Sequence, residues 1–262
     1  MNYGERIHGN GKDMNKEDVR KRICLALDVD SLALAKEIIK ESYEYVGTYK
    51  IGKELFVSEG TSSIKIPQSF ERDVFLDLKF HDIPNTVKNA SKALVKHNIK
   101  MFTIHSMGGS EMIQAAVRGV NDGVIKYGKI RPMILGVTIL TSHDRNSLKD
   151  ILIDKSFDAA LVSYAKIASE NGCDGVICSP KDINVLRPYI NRKILYVTPG
   201  VRLRDDKFSD QKRVCTPEEA IVNGASIIVV GRSILESKNR IEILKKIYKE
   251  VEKGLKKDNI FS

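Results

Sequence analysis

The stretch VFLDLKFHDIPNTVKNASKALVKHN, Val74 to Asn98, contains one complete repeat of the plan on which this chain is built. Its first seven residues form an apolar run typical of a buried strand. Pro84 opens the next segment, where apolar side chains return at intervals of three and four, the spacing of an amphipathic helix. A strand followed at once by a helix is the unit from which parallel sheets are assembled.

Seven further strand-like runs surround it: ICLALDV, YVGTYKIG, MFTIHSM, MILGVTIL, DGVICS, ILYVTPG and SIIVVGR. Between them lie helical patterns such as SLALAKEIIKESY, GSEMIQAAVRGVN, DAALVSYAKIASENG and TPEEAIVNGA. Ser31 and Thr216 stand where N-caps belong, Pro217 follows at a first helical position, and Gly172 and Gly224 close helices. Eight strand-then-helix repeats without a Pro- or Gly-rich linker predict a single (β/α)8 TIM barrel of the α/β class, with an open doubly wound sheet as the alternative. The segment SHDRNSLKDILIDKSF, residues 142–157, is longer than a minimal loop and predicts a short extra helix at the barrel mouth. The barrel domain is expected over residues 21–262, preceded by a polar, mobile extension over 1–20 that lacks the apolar core of a secretory signal.

At 262 residues, 42% hydrophobic and 29% charged, the composition is that of a soluble globular protein, expected in the cytoplasm and without a membrane partner. Cys24, Cys173, Cys178 and Cys215 are scattered, and no pair has the spacing of a zinc or redox motif, so buried free thiols are expected. The net charge of +9 favours anionic partners. Aromatic residues are only 6% of the chain and nowhere alternate with Arg or Lys as a base-stacking platform would, so no nucleic-acid partner is expected.

A barrel of this type builds its active site at the C-terminal ends of its strands. The polar residues at those positions are Asp28, Lys50, Asp77 with Lys79, His105, Thr141 with Ser142, Arg202, and Gly231 with Arg232. Side chains alternate along a strand, so Asp77 and Lys79 share one face while Leu76, Leu78 and Phe80 take the other. Such an ionic group can be a structural knot, and its place at the mouth argues for chemistry. Asp82, just before Pro84, can reach a neighbouring subunit as easily as its own site. The stretches VTPGVR and VVGRSI follow the seventh and eighth strands, where this fold often binds phosphate. There Gly200 and Gly231 would admit an anion to the backbone, and Arg202 and Arg232 would fork onto its oxygens. RLRDDKFSDQKR, residues 202–213, predicts a flap with Gln211 as a neutral contact. His105 is expected to be a satisfied strand-end residue rather than a metal ligand, His81 to turn away from the Asp77–Lys79 pair if the strand persists that far, and the basic C-terminal LKKIYKEVEKGLKK to be a solvated helix face.

Taken in order, LALDVD, YKIG, DLKFHDIPNTV, LTS, PGVR, DQKR and VVGRSI closely resemble the orotidine 5'-phosphate decarboxylase family in its bacterial form, over roughly Ile23 to Ile234. The resemblance implies a homodimeric barrel with neither metal nor organic cofactor that converts orotidine 5'-phosphate to uridine 5'-phosphate in de novo pyrimidine biosynthesis. It implies Lys79 as the catalytic lysine and Asp77 beside the scissile carboxylate, with Asp82 and Thr86 entering the partner's site. Asp28 and Lys50 would hold ribose hydroxyls, Thr141 would lie near the pyrimidine ring, and Arg202, Gln211, Gly231 and Arg232 would hold the phosphate. One departure is Leu203, where the family commonly has Pro after the arginine of PGVR; it touches flap closure rather than the chemistry. The nearest rival is a metal-dependent sugar-phosphate lyase of the same superfamily, which shares an Asp-x-Lys-x-x-Asp motif.

Overall fold

The computed structural model describes residues 15–143, 148, 153–204 and 215–261. Eight parallel strands close into a barrel in sequence order: β1 Ile23–Leu27, β2 Thr48–Ile51, β3 Asp73–Phe80, β4 Met101–His105, β5 Met133–Val137, β6 Gly175–Ile177, β7 Leu195–Thr198 and β8 Ile227–Val230. Closure rests on β8 pairing with β1, with Ile23, Cys24 and Leu25 beside Ile228, Val229 and Val230. The (β/α)8 expectation is met, and the open sheet is excluded.

Strand alternation divides the apolar residues between two cores. Cys24, Ala26, Phe75, Met101, Leu135, Val197, Ile227 and Val229 fill the barrel interior. Leu25, Leu27, Ile51, Leu76, Phe102, Ile104 and Val230 point outward into the larger core beneath the helices. Continued toward the C-terminal strand ends, the interior phase that begins with Ala26, Phe75 and Met101 arrives at Asp28, Asp77, Thr103 and His105. The barrel is therefore apolar at its base and polar at its mouth.

Most helices lie where the 3.6-residue periodicity places them. Thr216 caps the helix Pro217–Val222 through a reciprocal capping box with Glu219, whereas Ser31 occupies the N-cap of Leu32–Ser42 without a side-chain bond. Two helices between β2 and β3, Lys53–Glu59 and Ser62–Ser69, carry weak apolar periodicity, and the second contains Pro67. In the C-terminal helix Arg240–Phe261 the basic residues Lys245, Lys246, Lys249, Lys253, Lys256 and Lys257 are exposed, the solvated face expected, while Leu244, Ile247, Val251 and Leu255 bury the opposite side.

The expected boundary at residue 21 also moves. Asn15 caps a helix over Lys16–Arg20, Val19 is buried in the main core, and the Tyr248 hydroxyl donates to the Lys16 carbonyl at 3.2 Å. Packed structure thus begins before β1, because one apolar side chain in a polar segment found a place under the C-terminal helix. The extra helix predicted after β5 and most of the flap after β7 lie outside the described residues. All four cysteines are free and buried, with burial pushing the Cys173 thiol up to about 12. Among the described residues no helix is long and apolar enough to cross a membrane.

Candidate active site

The mouth is organised by an irregularity in β3. Its pairing with β4 runs Phe75 to Met101 and Leu76 to Phe102, then resumes at Phe80 and Ile104. Three residues of β3 therefore face a single residue of β4, Thr103. The excess of two is even, so the alternation of faces is in phase again at Phe80 while the inner face gains one more side chain. Lys79 occupies the bulge with φ of +55°, a left-handed backbone that costs a non-glycine residue about 1–2 kcal/mol. Strain of this kind collects at functional sites.

Four ions follow one another around the rim. Lys79 Nζ lies 2.8 and 2.9 Å from the two carboxylate oxygens of Asp77. Asp77 also meets Lys50 Nζ at 3.7 Å, and Lys50 Nζ donates to Asp28 Oδ1 at 2.8 Å. The side chains of Lys50 and Asp77 are only 11% and 12% exposed, against 47% for Asp28 at the outer end. Burial works against the Lys50 ammonium, but the carboxylates of Asp28 and Asp77 outweigh it and hold its pKa above the ordinary lysine value. Burial likewise works against the Asp77 carboxylate, yet the ammoniums of Lys50 and Lys79 and the Lys79 and Thr103 hydrogen bonds hold its pKa below the usual range. Ions this buried, each held by the next, form the kind of cluster from which reaction sites at a barrel mouth are built.

Other candidates complete the arc. Gly231 follows β8 on the inner phase, 3.9 Å from Asp28 Oδ2 as measured from where a Cβ would stand, and Arg232 follows it directly. Arg202 is buried in the segment after β7, next to β8. Gly200 has φ of +81°, and the Arg202 amide donates to the Cys215 carbonyl at 3.0 Å, so the two described ends of the flap segment are tied together. Thr141 is half-buried after β5. Gln211 lies outside the described residues. No described contact joins Asp82 or Thr86 to the row: both are exposed, and the Asp82 carboxylate accepts only from the adjacent Ile83 amide at 2.6 Å among the described contacts.

The reading of one histidine is corrected. His105 is not satisfied, since its buried Nδ1 has no hydrogen-bond partner among the described residues. The condition set for His81 is not met: β3 ends at Phe80, and the exposed His81 ring lies against that of His105 with centroids 5.4 Å apart. Burial, followed by the nearby His81, Lys79 and Lys53, pushes His105 down to about 4, so it is neutral near pH 7. Thr103 was not singled out from sequence: a lone threonine in a strand carries no signal beyond β propensity. Among the described residues no group of three or more His, Cys, Asp or Glu side chains is arranged to hold a metal ion.

Fold and site together define a (β/α)8-barrel enzyme with a paired-ion row at the mouth of its strands. Residues 21–247 match the model of the "Orotidine 5'-phosphate decarboxylase / HUMPS family". The chain is 36% identical to the orotidine 5'-phosphate decarboxylase of Moorella thermoacetica, over 92% of this chain and 96% of that one. It is 38% identical to that of Trichlorobacter lovleyi, over 92% and 100%. The crystal structure of orotidine 5'-phosphate decarboxylase from Lactobacillus acidophilus superposes with a TM-score of 0.76 at 36% identity, covering 88% of this chain and 98% of that one. The chain belongs to the orotidine 5'-phosphate decarboxylase / HUMPS family.

Proposed function

We propose that this protein decarboxylates orotidine 5'-phosphate to uridine 5'-phosphate in de novo pyrimidine biosynthesis, in the cytoplasm, without metal or organic cofactor. The observation that carries this reading is the Lys79 ammonium held against both oxygens of Asp77, in a row with Lys50 and Asp28, in a chain of this family.

The chemistry asks for that arrangement. When the bond from the pyrimidine ring to its carboxylate breaks, the electron pair stays on a carbon with no adjacent carbonyl to absorb it, and CO2 departs neutral. A fixed ammonium at that carbon stabilises the pair and then delivers its proton, forming the new C–H bond and leaving a neutral amine that is reprotonated from solvent. Lys79 takes this role. Asp77 aims Lys79 through both of its oxygens, and it faces the substrate carboxylate until that group leaves as CO2. Asp28 and Lys50 hold ribose hydroxyls and orient the row, while Thr141 lies beside the ring. Arg202, Gln211, Gly231 and Arg232 take the phosphate on the β7–β8 side, where remote binding energy holds the reacting end in place. Asp82 and Thr86, exposed and joined to their own row by no described contact, reach the site of a second copy in a homodimer.

The test follows loss of the orotidylate chromophore with and without a chelator. Turnover that persists in chelator, and that Lys79→Ala lowers by more than about a thousand-fold while the protein still folds, supports the reading. Turnover abolished by chelator would instead favour a metal-dependent sugar-phosphate lyase of the same family. Salt-sensitive nucleic-acid binding that does not need Lys79 would favour a binding protein.

A further inference from the structure

We propose that Thr103 is the positioning residue of the reaction, fixing both the backbone of Lys79 and the carboxylate of Asp77 through one hydroxyl. This inference rests on the decarboxylase reading above.

Thr103 is the single β4 residue opposite the β3 bulge, and it is 1% exposed on the inner face between Met101 and His105. The bulge lifts the Lys79 amide out of the strand ladder, and that amide donates to Thr103 Oγ1 at 2.9 Å. The same oxygen lies 2.9 Å from Asp77 Oδ1. The direction of both bonds is forced: a backbone N–H can only donate, and an ionised carboxylate can only accept. The hydroxyl therefore receives from Lys79 and gives to Asp77, and its one proton is fully committed. Its effect on Asp77 has a geometric consequence, because a carboxylate held at Oδ1 presents both oxygens to the ammonium, as the 2.8 and 2.9 Å contacts record. The Lys79 backbone meanwhile sits in a conformation that a lysine does not choose alone. Lysine and aspartate are two residues apart in sequence, but their mutual aim is set from the neighbouring strand.

Thr103 lies on the reacting side of the rim, away from the arginines after β7 and β8. Its loss is therefore expected in kcat rather than in nucleotide binding. Thr103→Val removes the hydroxyl at similar size, and Thr103→Ser keeps it. Thr103→Val is expected to lower kcat by about a hundred-fold, the scale of a misplaced reacting group, with uridine 5'-phosphate affinity within about threefold of wild type. Thr103→Ser is expected to return kcat to within about threefold of wild type, a rescue that loss of packing alone would not give. If Thr103→Val does not fold, Thr103→Ala tests the same loss. Wild-type kcat in either hydroxyl-free variant, a serine variant as slow as the valine one, or nucleotide affinity falling as far as kcat would each overturn the proposal. Should the wild-type chain itself fail to consume orotidine 5'-phosphate, the functional reading fails on its own. Thr103 is then judged by a crystal structure of Thr103→Val: a Lys79 backbone or Asp77 carboxylate that has swung away upholds the positioning role, and both unmoved refutes it.

Discussion

Gly52 stands so close to Asp28 that a Cβ on it would fall 2.8 Å from the carboxylate Oδ1 and 3.0 Å from the Lys50 ammonium bonded to that oxygen. Its φ of −87° suits any residue, so what glycine provides here is space rather than backbone freedom. Gly52→Ala is therefore expected to force the Asp28–Lys50 pair apart. Because the Asp28 side chain is half-exposed and free to swing into water, unfolding free energy should change by less than about 1 kcal/mol. Catalytic efficiency should fall about tenfold or more as the row loses its outer anchor. Urea unfolding and steady-state kinetics on the same preparation check both.

The proposal that Asp82 completes the site of a second chain is tested by mixing two inactive variants. Lys79→Ala and Asp82→Asn homodimers are each expected to be nearly inactive. A hybrid dimer has one site with both residues native, so mixed and re-equilibrated subunits should regain about one quarter of wild-type activity per site. No recovery despite demonstrated hybrid formation would show that Asp82 serves its own chain.

The depressed pKa of Asp77 fixes the sign of an acid effect. In the unfolded chain this carboxyl takes up its proton first, so the stability its ionised form lends is complete above the ordinary aspartate value near pH 4 and drains away as pH falls through the lower folded value. The difference in unfolding free energy between wild type and Asp77→Asn should be flat from about pH 5 to about pH 8 and shrink below about pH 4. Chemical denaturation across that range measures it.

His105 acts in a separate window. Its folded value near 4 lies below the ordinary histidine value of about 6.5, so between the two the unfolded chain binds a proton that the native state refuses. Wild-type stability should fall as pH drops through this interval, and His105→Gln should flatten the slope by up to one proton. An unchanged slope in the variant would mean that His105 carries its proton in the folded protein.

How much of this was legible beforehand depended on what each feature leaves in the sequence. The eight strands were readable because β-branched runs such as SIIVVGR fill both faces of a buried parallel strand. The helices Lys53–Glu59 and Ser62–Ser69 were not, since they bury few side chains and one contains proline. Lys79 and Asp77 could be placed on the inner face by alternation, but the bulge beneath them was invisible: an insertion of two residues leaves the pattern Phe75, Asp77, Lys79 looking like an ordinary strand. The contact between His81 and His105 and the reach of Thr103 depend on register between strands, which a single chain of letters does not carry.

The even count of that bulge separates two things that a strand usually keeps together. Shortening β3 by a pair of residues would return it to an ordinary ladder with every outward side chain still facing its helix, and the barrel would close as before. Removing one residue instead would turn the whole upper strand inside out. The scaffold is thus indifferent to the very segment that presents the lysine, so the chemistry of this barrel could be lost without any disturbance of its architecture.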